Sequence, residues 1–303
     1  MYDPITLHSH EERLNDPDLT EQSVELWVKR DDMIHPFISG NKWRKLRYPI
    51  QEMRQFGKHQ LVTFGGAWSN HLLACAAAGA RFGIKTSAFV RGEPVDNPVL
   101  GMCRLFGMKL RFVDRSAYRE KKELFARHYD ANQAYFLDEG GYGPSGARGC
   151  SELIDELRQS YDHIVVAAGT GTTAAGLQQG IWKQQLSTQL HVVPVLKGAH
   201  FLLEEIRNLG TDPADLCFHW DYHFSGYAKV KPELLNFIQQ FIATTGIMIE
   251  PTYTGKMIYA VYDLIRKGYF RRDSRILCIH TGGLTGLLGQ LAHFDTIWEN
   301  PEQ

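Results

Sequence analysis

The chain has 303 residues, with 33 Lys+Arg against 34 Asp+Glu and a formal net charge of −1, a length that predicts two domains or one large α/β unit. The even charge argues against a nucleic-acid or anionic-membrane partner, either of which favours a basic excess. No apolar run approaches the roughly 20 residues that span a bilayer, and the polar, acid-bearing N-terminus lacks the layout of a signal peptide.

Apolar patterning predicts the following elements in chain order. Val24–Val28 reads as a strand and Asn41–Phe56 as a helix. Leu61–Phe64 is a short strand, followed by a small-residue helix from Asn70 to Phe82. Thr86–Val90 is a strand, Pro98–Phe106 a helix and Lys109–Val113 a strand. A charged helix (Tyr118–Tyr129), a short strand (Ala134–Phe136) and a helix near Arg148–Gln159 come next. His163–Ala168 is an apolar strand that opens into Gly169-Thr170-Gly171-Thr172-Thr173 and a helix. His191–Leu196 is a strand, and helices follow at Phe201–Leu209, Pro232–Thr245 and Thr254–Arg266. Arg275–Ile279 is the last strand, and Gly282-Gly283 opens the last helix.

Strand-then-helix alternation means mostly parallel sheets with helices on both faces. Eight to ten strands are many for one open sheet, so the pattern predicts an α/β chain of two domains, each an open twisted sheet flanked by helices. The glycine-rich stretch Gly140–Gly149 is the candidate hinge.

The five cysteines (Cys75, Cys103, Cys150, Cys217, Cys278) are odd in number and form no CxxC. They read as reduced thiols in a cytosolic protein. His219 and His223 are four apart but lack further ligands, so they read as surface or loop residues and no metal site is expected.

Three features carry candidate chemistry. Gly169–Thr173 sits at a strand-to-helix junction, where free N–H groups, the helix dipole and hydroxyls suit a phosphate. A tight turn with a capping threonine is the plainer alternative. No lysine follows the glycines as in a triphosphatase loop. The next strand ends at Leu196-Lys197 without the acid that a dinucleotide site uses for ribose. Lys42, in Ser39-Gly40-Asn41-Lys42-Trp43-Arg44-Lys45, starts a helix, where a cation is poorly placed. Either it is an ordinary basic surface residue or an amine of lowered pKa able to form a Schiff base. Ser69-Asn70-His71 caps a helix whose small residues (Ala74, Ala76, Ala77, Ala78, Gly79) permit close approach.

Together these segments resemble the pyridoxal-phosphate enzymes of the tryptophan-synthase β-like fold, fold type II. More narrowly, the chain resembles the 1-aminocyclopropane-1-carboxylate deaminase and D-cysteine desulfhydrase family. The resemblance rests on Val28–Asp32 with Gly40–Leu46, on Gly65-Gly66-Ala67-Trp68-Ser69-Asn70-His71, on Gly169–Thr173, on Glu250–Lys256 and on Ile279–Gly283, in that order. It implies pyridoxal 5′-phosphate as cofactor, a small amino acid as substrate, release of ammonia and a 2-oxo acid, a cytoplasmic homodimer, and no metal. A cofactor-binding domain of 1–50 and 150–303 with an inserted domain of 51–149 is implied. Lys42 would link to the cofactor and move protons at the substrate Cα. Asn70 would bond the cofactor's phenolic oxygen, Gly169, Thr170, Gly171, Thr172 and Thr173 would hold its phosphate, and Thr281 would face its ring nitrogen. Ser69, Asn70, His71, Trp68 and Tyr253 would meet the substrate, with Ser69 and Tyr253 also catalytic.

The chain departs from the family pattern at Trp68, where a small polar residue is usual, and in its shorter length around Glu93–Arg104. A racemase or dehydratase on the same scaffold, or a pyridoxal-phosphate binder without catalysis, are the other readings.

Overall fold

The computed structural model describes residues 9–16, 19 and 23–298. Its elements are β1 (Glu11–Arg13), β2 (Glu25–Lys29), α1 (Asn41–Gln55), β3 (Gln60–Gly66), α2 (Asn70–Phe82), β4 (Lys85–Arg91), α3 (Pro98–Leu105) and β5 (Lys109–Val113). Then come α4 (Lys121–His128), β6 (Ala134–Phe136), α5 (Pro144–Asp155), β7 (His163–Ala168), α6 (Thr172–Lys183), β8 (Gln189–Pro194) and α7 (Phe201–Asn208). The chain continues with β9 (Leu216–Phe218), α8 (Pro232–Thr245), α9 (Thr254–Arg266), β10 (Arg275–Ile279) and α10 (Ala292–Trp298).

These strands build two sheets. One has six strands in the order β1-β2-β10-β7-β8-β9; the other has four in the order β5-β4-β3-β6. Only β1 is antiparallel to its neighbour; the remaining pairs are parallel. The four-stranded sheet comes wholly from residues 60–136, and the six-stranded sheet from both flanking parts of the chain. No helix among the described residues is long and apolar enough to cross a membrane.

Both faces of each sheet are covered, as the apolar strand runs require. Along β7, Val165 and Ala167 enter the core under α8 and α9, while Ile164, Val166 and Ala168 enter the core under α5, α6 and α7. Along β3, Leu61 joins the core with α1 and α2, while Val62 and Phe64 face an aromatic cluster with Phe89 and Tyr118. This period-two split is the strand geometry itself.

The structure differs from the sequence reading at four places. The helix expected over Tyr118–Tyr129 is broken at Glu120 (φ −91°, ψ 55°) into a 3-10 turn and the shorter α4. The glycine run expected to be a hinge is helical from Pro144, and its glycines are contact points. A Cβ on Gly149 would overlap the Arg44 carbonyl, and one on Gly176 would overlap that of Ala147. Those glycines let α5 lie against both α1 and α6. The last helix does not open at Gly282-Gly283; a 3-10 segment, Leu284–Gly289, precedes α10. Strands β1 and β9 are three residues each, too short to show a period. His219 lies in the loop after β9, as one of its two readings had it, and is half-buried against His191.

The expected domain limits at 50/51 and 149/150 both fall inside helices. Trp43, Leu46, Ile50 and Met53 of α1 share a core with α2, β3 and β4.

Candidate active site

In a parallel sheet, ligands bind outside the C-terminal ends of the strands. The loops after β3, β7 and β10 and the start of α1 converge at such an end. Gly40 has φ +61°, and a Cβ there would overlap the Thr281 carbonyl. Only glycine fits this crossing. Its neighbour Asn41 donates its backbone N–H to Thr281 O at 3.3 Å and its side-chain amide to Thr173 Oγ1 at 3.0 Å. The helix start is thereby wedged between the end of β10 and the β7–α6 turn.

Lys42 follows at once. It is half-buried, and its ammonium makes no hydrogen bond or ion pair among the described residues. Burial first, and then the Lys45 charge, pull its pKa down to about 7. An amine about half neutral at pH 7 is a competent nucleophile. Arg44, only 2% exposed, fixes this helix from its other side. Its Nε and Nη2 donate to Asp31 at 2.6 and 2.8 Å, and Nη1 and Nη2 donate to Glu156 at 2.8 Å each.

The β7–α6 turn has Gly171 in the left-handed region (φ +78°). No acceptor for the N–H groups of Gly171, Thr172, Thr173 and Ala174 is found among the described residues. Thr170 and Thr172 hydroxyls bond each other at 3.1 Å. Gly169 faces the Tyr253 ring, whose Cε1 lies 3.1 Å from where a Cβ would stand. Free N–H groups at a helix start with flanking hydroxyls form an anion cradle.

After β3, Ser69 caps α2 by accepting from Leu72 N. Asn70 Oδ1 accepts from Thr285 Oγ1 at 2.6 Å and Gly286 N at 3.1 Å. The amide is thereby oriented, and its Nδ2 donor is left without a protein acceptor among the described residues. Trp68 is 41% exposed and packs on Gly289. His71 is enclosed: Nε2 bonds Thr63 Oγ1 at 2.8 Å, and burial, then Lys42 and Lys45, hold its pKa well below the ordinary value. The ring is only 2% exposed and lies inside the base of α2.

Thr281 is nearly buried. His280 beside it accepts from Gly282 N at 3.2 Å and bonds Met248 O through Nε2 at 2.7 Å. Tyr253 precedes α9. Glu250 accepts from the backbone N–H groups of Thr252, Tyr253 and Thr254 at 2.7–2.8 Å, so a buried carboxylate shapes this turn. Burial, then the Tyr227 phenol, raise the Tyr253 pKa far above its usual range.

The chain matches the pyridoxal-phosphate-dependent enzyme family over residues 13–282. It belongs to that family. It is 30% identical over 285 residues, 88% of this chain and 86% of the relative, to a putative 1-aminocyclopropane-1-carboxylate deaminase of Pyrococcus horikoshii. It is 28% identical over 332 residues, 98% of this chain and 80% of the relative, to a mitochondrial bifunctional D-cysteine desulfhydrase/1-aminocyclopropane-1-carboxylate deaminase of Arabidopsis thaliana. The solved structure of an ACC deaminase homologue superposes with a TM-score of 0.85 at 25% identity, covering 97% of this chain and 95% of that one. The cofactor is pyridoxal phosphate, and the chain is an enzyme of that family.

The residues present fit this cofactor. An unpaired amine, a cradle of free N–H groups and an oriented amide donor converge in one place, as a phosphate-bearing aldehyde requires. Sequence reasoning found these groups but missed those that hold them. Asn41, Arg44, Lys45 and Glu250 lie inside quoted motifs, yet their roles depend on partners far along the chain. Thr285 and Gly286 carried no signal beyond a glycine-rich stretch.

Proposed function

We propose that the enzyme is a lyase that deaminates a small amino acid, D-cysteine or 1-aminocyclopropane-1-carboxylate, to ammonia and a 2-oxo acid, with sulfide as the further product from D-cysteine. The observation that carries this is the unpaired Lys42 amine, with its pKa near 7, wedged beside the anion cradle in a chain whose relatives bear those two names.

Lys42 Nζ would hold the cofactor and, once freed by the substrate amine, would act as the base: on the Cα proton of D-cysteine, and on a ring methylene proton of 1-aminocyclopropane-1-carboxylate, whose Cα bears none. The bound cofactor supplies an electron sink for the charge left on Cα. The N–H groups of Gly171–Ala174 and the hydroxyls of Thr170, Thr172 and Thr173 bind the phosphate, with Gly169 letting the chain approach. Asn70 Nδ2 donates to the cofactor's phenolic oxygen. Thr281 presents a neutral hydroxyl to the ring nitrogen, where a carboxylate would hold a proton. A weaker sink favours elimination of a β-substituent over deeper rearrangement. Ser69 and Tyr253 carry protons to and from the substrate, and Trp68 bounds its carboxylate end. We assign His71 to supporting α2 rather than to substrate contact. We also propose that the four-stranded sheet and its helices form the smaller unit, and the six-stranded sheet the cofactor-binding unit.

The test is a panel of D- and L-cysteine, D-serine and 1-aminocyclopropane-1-carboxylate, scored for ammonia, sulfide and 2-oxo acid. Ammonia with a 2-oxo acid from at least one member is the expected result. Racemisation without ammonia across the panel would sink the lyase reading.

A further inference from the structure

Lys256 is fully buried, three residues after Tyr253 on α9. Nothing above uses it. Its Nζ donates to the backbone carbonyls of Gly226 at 2.7 Å, His223 at 2.9 Å and Val195 at 3.4 Å. All three donors of the ammonium go to main chain, and none goes to a carboxylate. Burying a charge in this way is costly unless its hydrogen bonds are complete. Burial pulls the pKa down to about 8, against the pull of nearby Glu250.

What these bonds hold is unusual backbone. Phe224 (φ 49°), Ser225 (φ 73°) and Ala228 (φ 52°) are non-glycine residues in the left-handed region, with Gly226 (φ 122°) between them. Such conformations are strained for residues that carry a Cβ and persist only where surroundings impose them. Phe224 is anchored edge-on against Tyr259 at 4.9 Å. The residue this loop presents is Tyr227. Its ring is 5.9 Å from that of Tyr253 at 74°, although 48% of its surface is exposed. Tyr253 in turn lies against Gly169 of the phosphate cradle. One helix therefore fixes two things. It starts beside Tyr253, and three residues later Lys256 ties down the loop that lays Tyr227 on Tyr253.

We propose that Lys256 is a positioning residue: by tying down the loop over residues 223–228 it holds Tyr227 against Tyr253 and so acts on the substrate side of the site. This rests on the assignment of Tyr253 to the substrate side. A purely structural lysine would stabilise the fold without acting through Tyr227, so the two roles separate in a double-mutant cycle.

The experiment uses the full chain and four variants: Lys256→Met, Tyr227→Phe, the double variant, and Gly226→Ala. Gly226→Ala disturbs the same loop while leaving the buried charge in place. Hydrogen–deuterium exchange of residues 223–230 is measured without cofactor. In the cofactor-loaded protein, KM and kcat are measured with whichever of D-cysteine and 1-aminocyclopropane-1-carboxylate is turned over. Lys256→Met should speed exchange in 223–230 about tenfold or more and raise KM about tenfold with a smaller change in kcat. In the Tyr227→Phe background it should change KM less than about twofold. Gly226→Ala should reproduce the KM effect, and it decides the question if Lys256→Met does not fold. Unchanged exchange in 223–230, or KM effects that multiply in the double variant, would overturn the proposal. Tyr253→Phe is the separate control: unaltered KM and kcat there refute the assignment of Tyr253, whatever the exchange data show for Lys256.

Discussion

The side-chain amide of Asn41 donates to Thr173 Oγ1 at 3.0 Å, across 132 residues of chain. This bond joins the residue before Lys42 to the last hydroxyl of the anion cradle. The distance between the linking amine and the phosphate anchor is thereby set by a direct contact. Asn41→Ala removes one neutral hydrogen bond, worth about 0.5–1.5 kcal/mol. The expected outcome is a three- to tenfold weaker Kd for pyridoxal phosphate, measured by equilibrium titration, with Lys42 still able to link to it.

Lys42 should load cofactor with a distinctive pH dependence. Burial and Lys45 lower its pKa to about 7, so the neutral, reactive fraction of the amine rises through pH 7 and is nearly complete by pH 8. A surface lysine would wait until about pH 10.4. The initial rate of pyridoxal phosphate incorporation into cofactor-free protein, followed by absorbance, should be half-maximal near pH 7. Lys45→Met removes the neighbouring cation and should move that midpoint upward.

Arg44 divides its guanidinium between Asp31 and Glu156, with Asp31 itself fully buried. Removing the cation strands a buried carboxylate. Breaking such an arrangement costs about 3–5 kcal/mol. Urea unfolding of Arg44→Leu should show a loss of that size. A loss below about 1 kcal/mol would mean that the clamp does not hold α1 in place.

How much of this was legible beforehand follows from the range of each interaction. The strands β7 and β10 and the helices α2 and α9 announce themselves through local patterning. Lys42 stood out because a cation is poorly placed at a helix start, Gly169–Thr173 because glycines and hydroxyls at a strand-to-helix junction suit an anion, and Asn70 only through the family resemblance. The break at Glu120 and the helical course of Pro144–Gly149 did not show. In the second case Gly149 lies against the Arg44 carbonyl, and Gly176 of α6 lies against that of Ala147, contacts that no local pattern records. The burial of His71 depends on Thr63, a residue on the neighbouring strand. His219, in the loop after β9, ends a row of three imidazoles whose successive members are 28 residues apart in sequence.

That row runs across adjacent parallel strands. His163 Nδ1 meets His191 Nε2 at 3.0 Å, and His191 Nδ1 meets His219 Nε2 at 3.0 Å. Burial, then His219 and His163, lower the His191 pKa to about 3. The fold therefore favours the neutral ring. This contribution is fully present above the unfolded value near pH 6.5 and is lost as pH falls from there toward 3. At pH 5 the loss amounts to about 2 kcal/mol. Urea unfolding at pH 7 and pH 5 should show a drop of that order. His191→Leu should be less stable at pH 7 but show a flatter dependence between those two pH values.

The most direct test of the whole site is chemical. Cofactor-loaded protein is reduced with borohydride, digested, and the pyridoxyl-phosphate group located by peptide mass spectrometry. The expected result is one modified lysine, Lys42, and no modification in Lys42→Ala protein treated in the same way. Stoichiometric modification of another lysine, with Lys42 recovered unmodified, would contradict the assignment on which every other role depends.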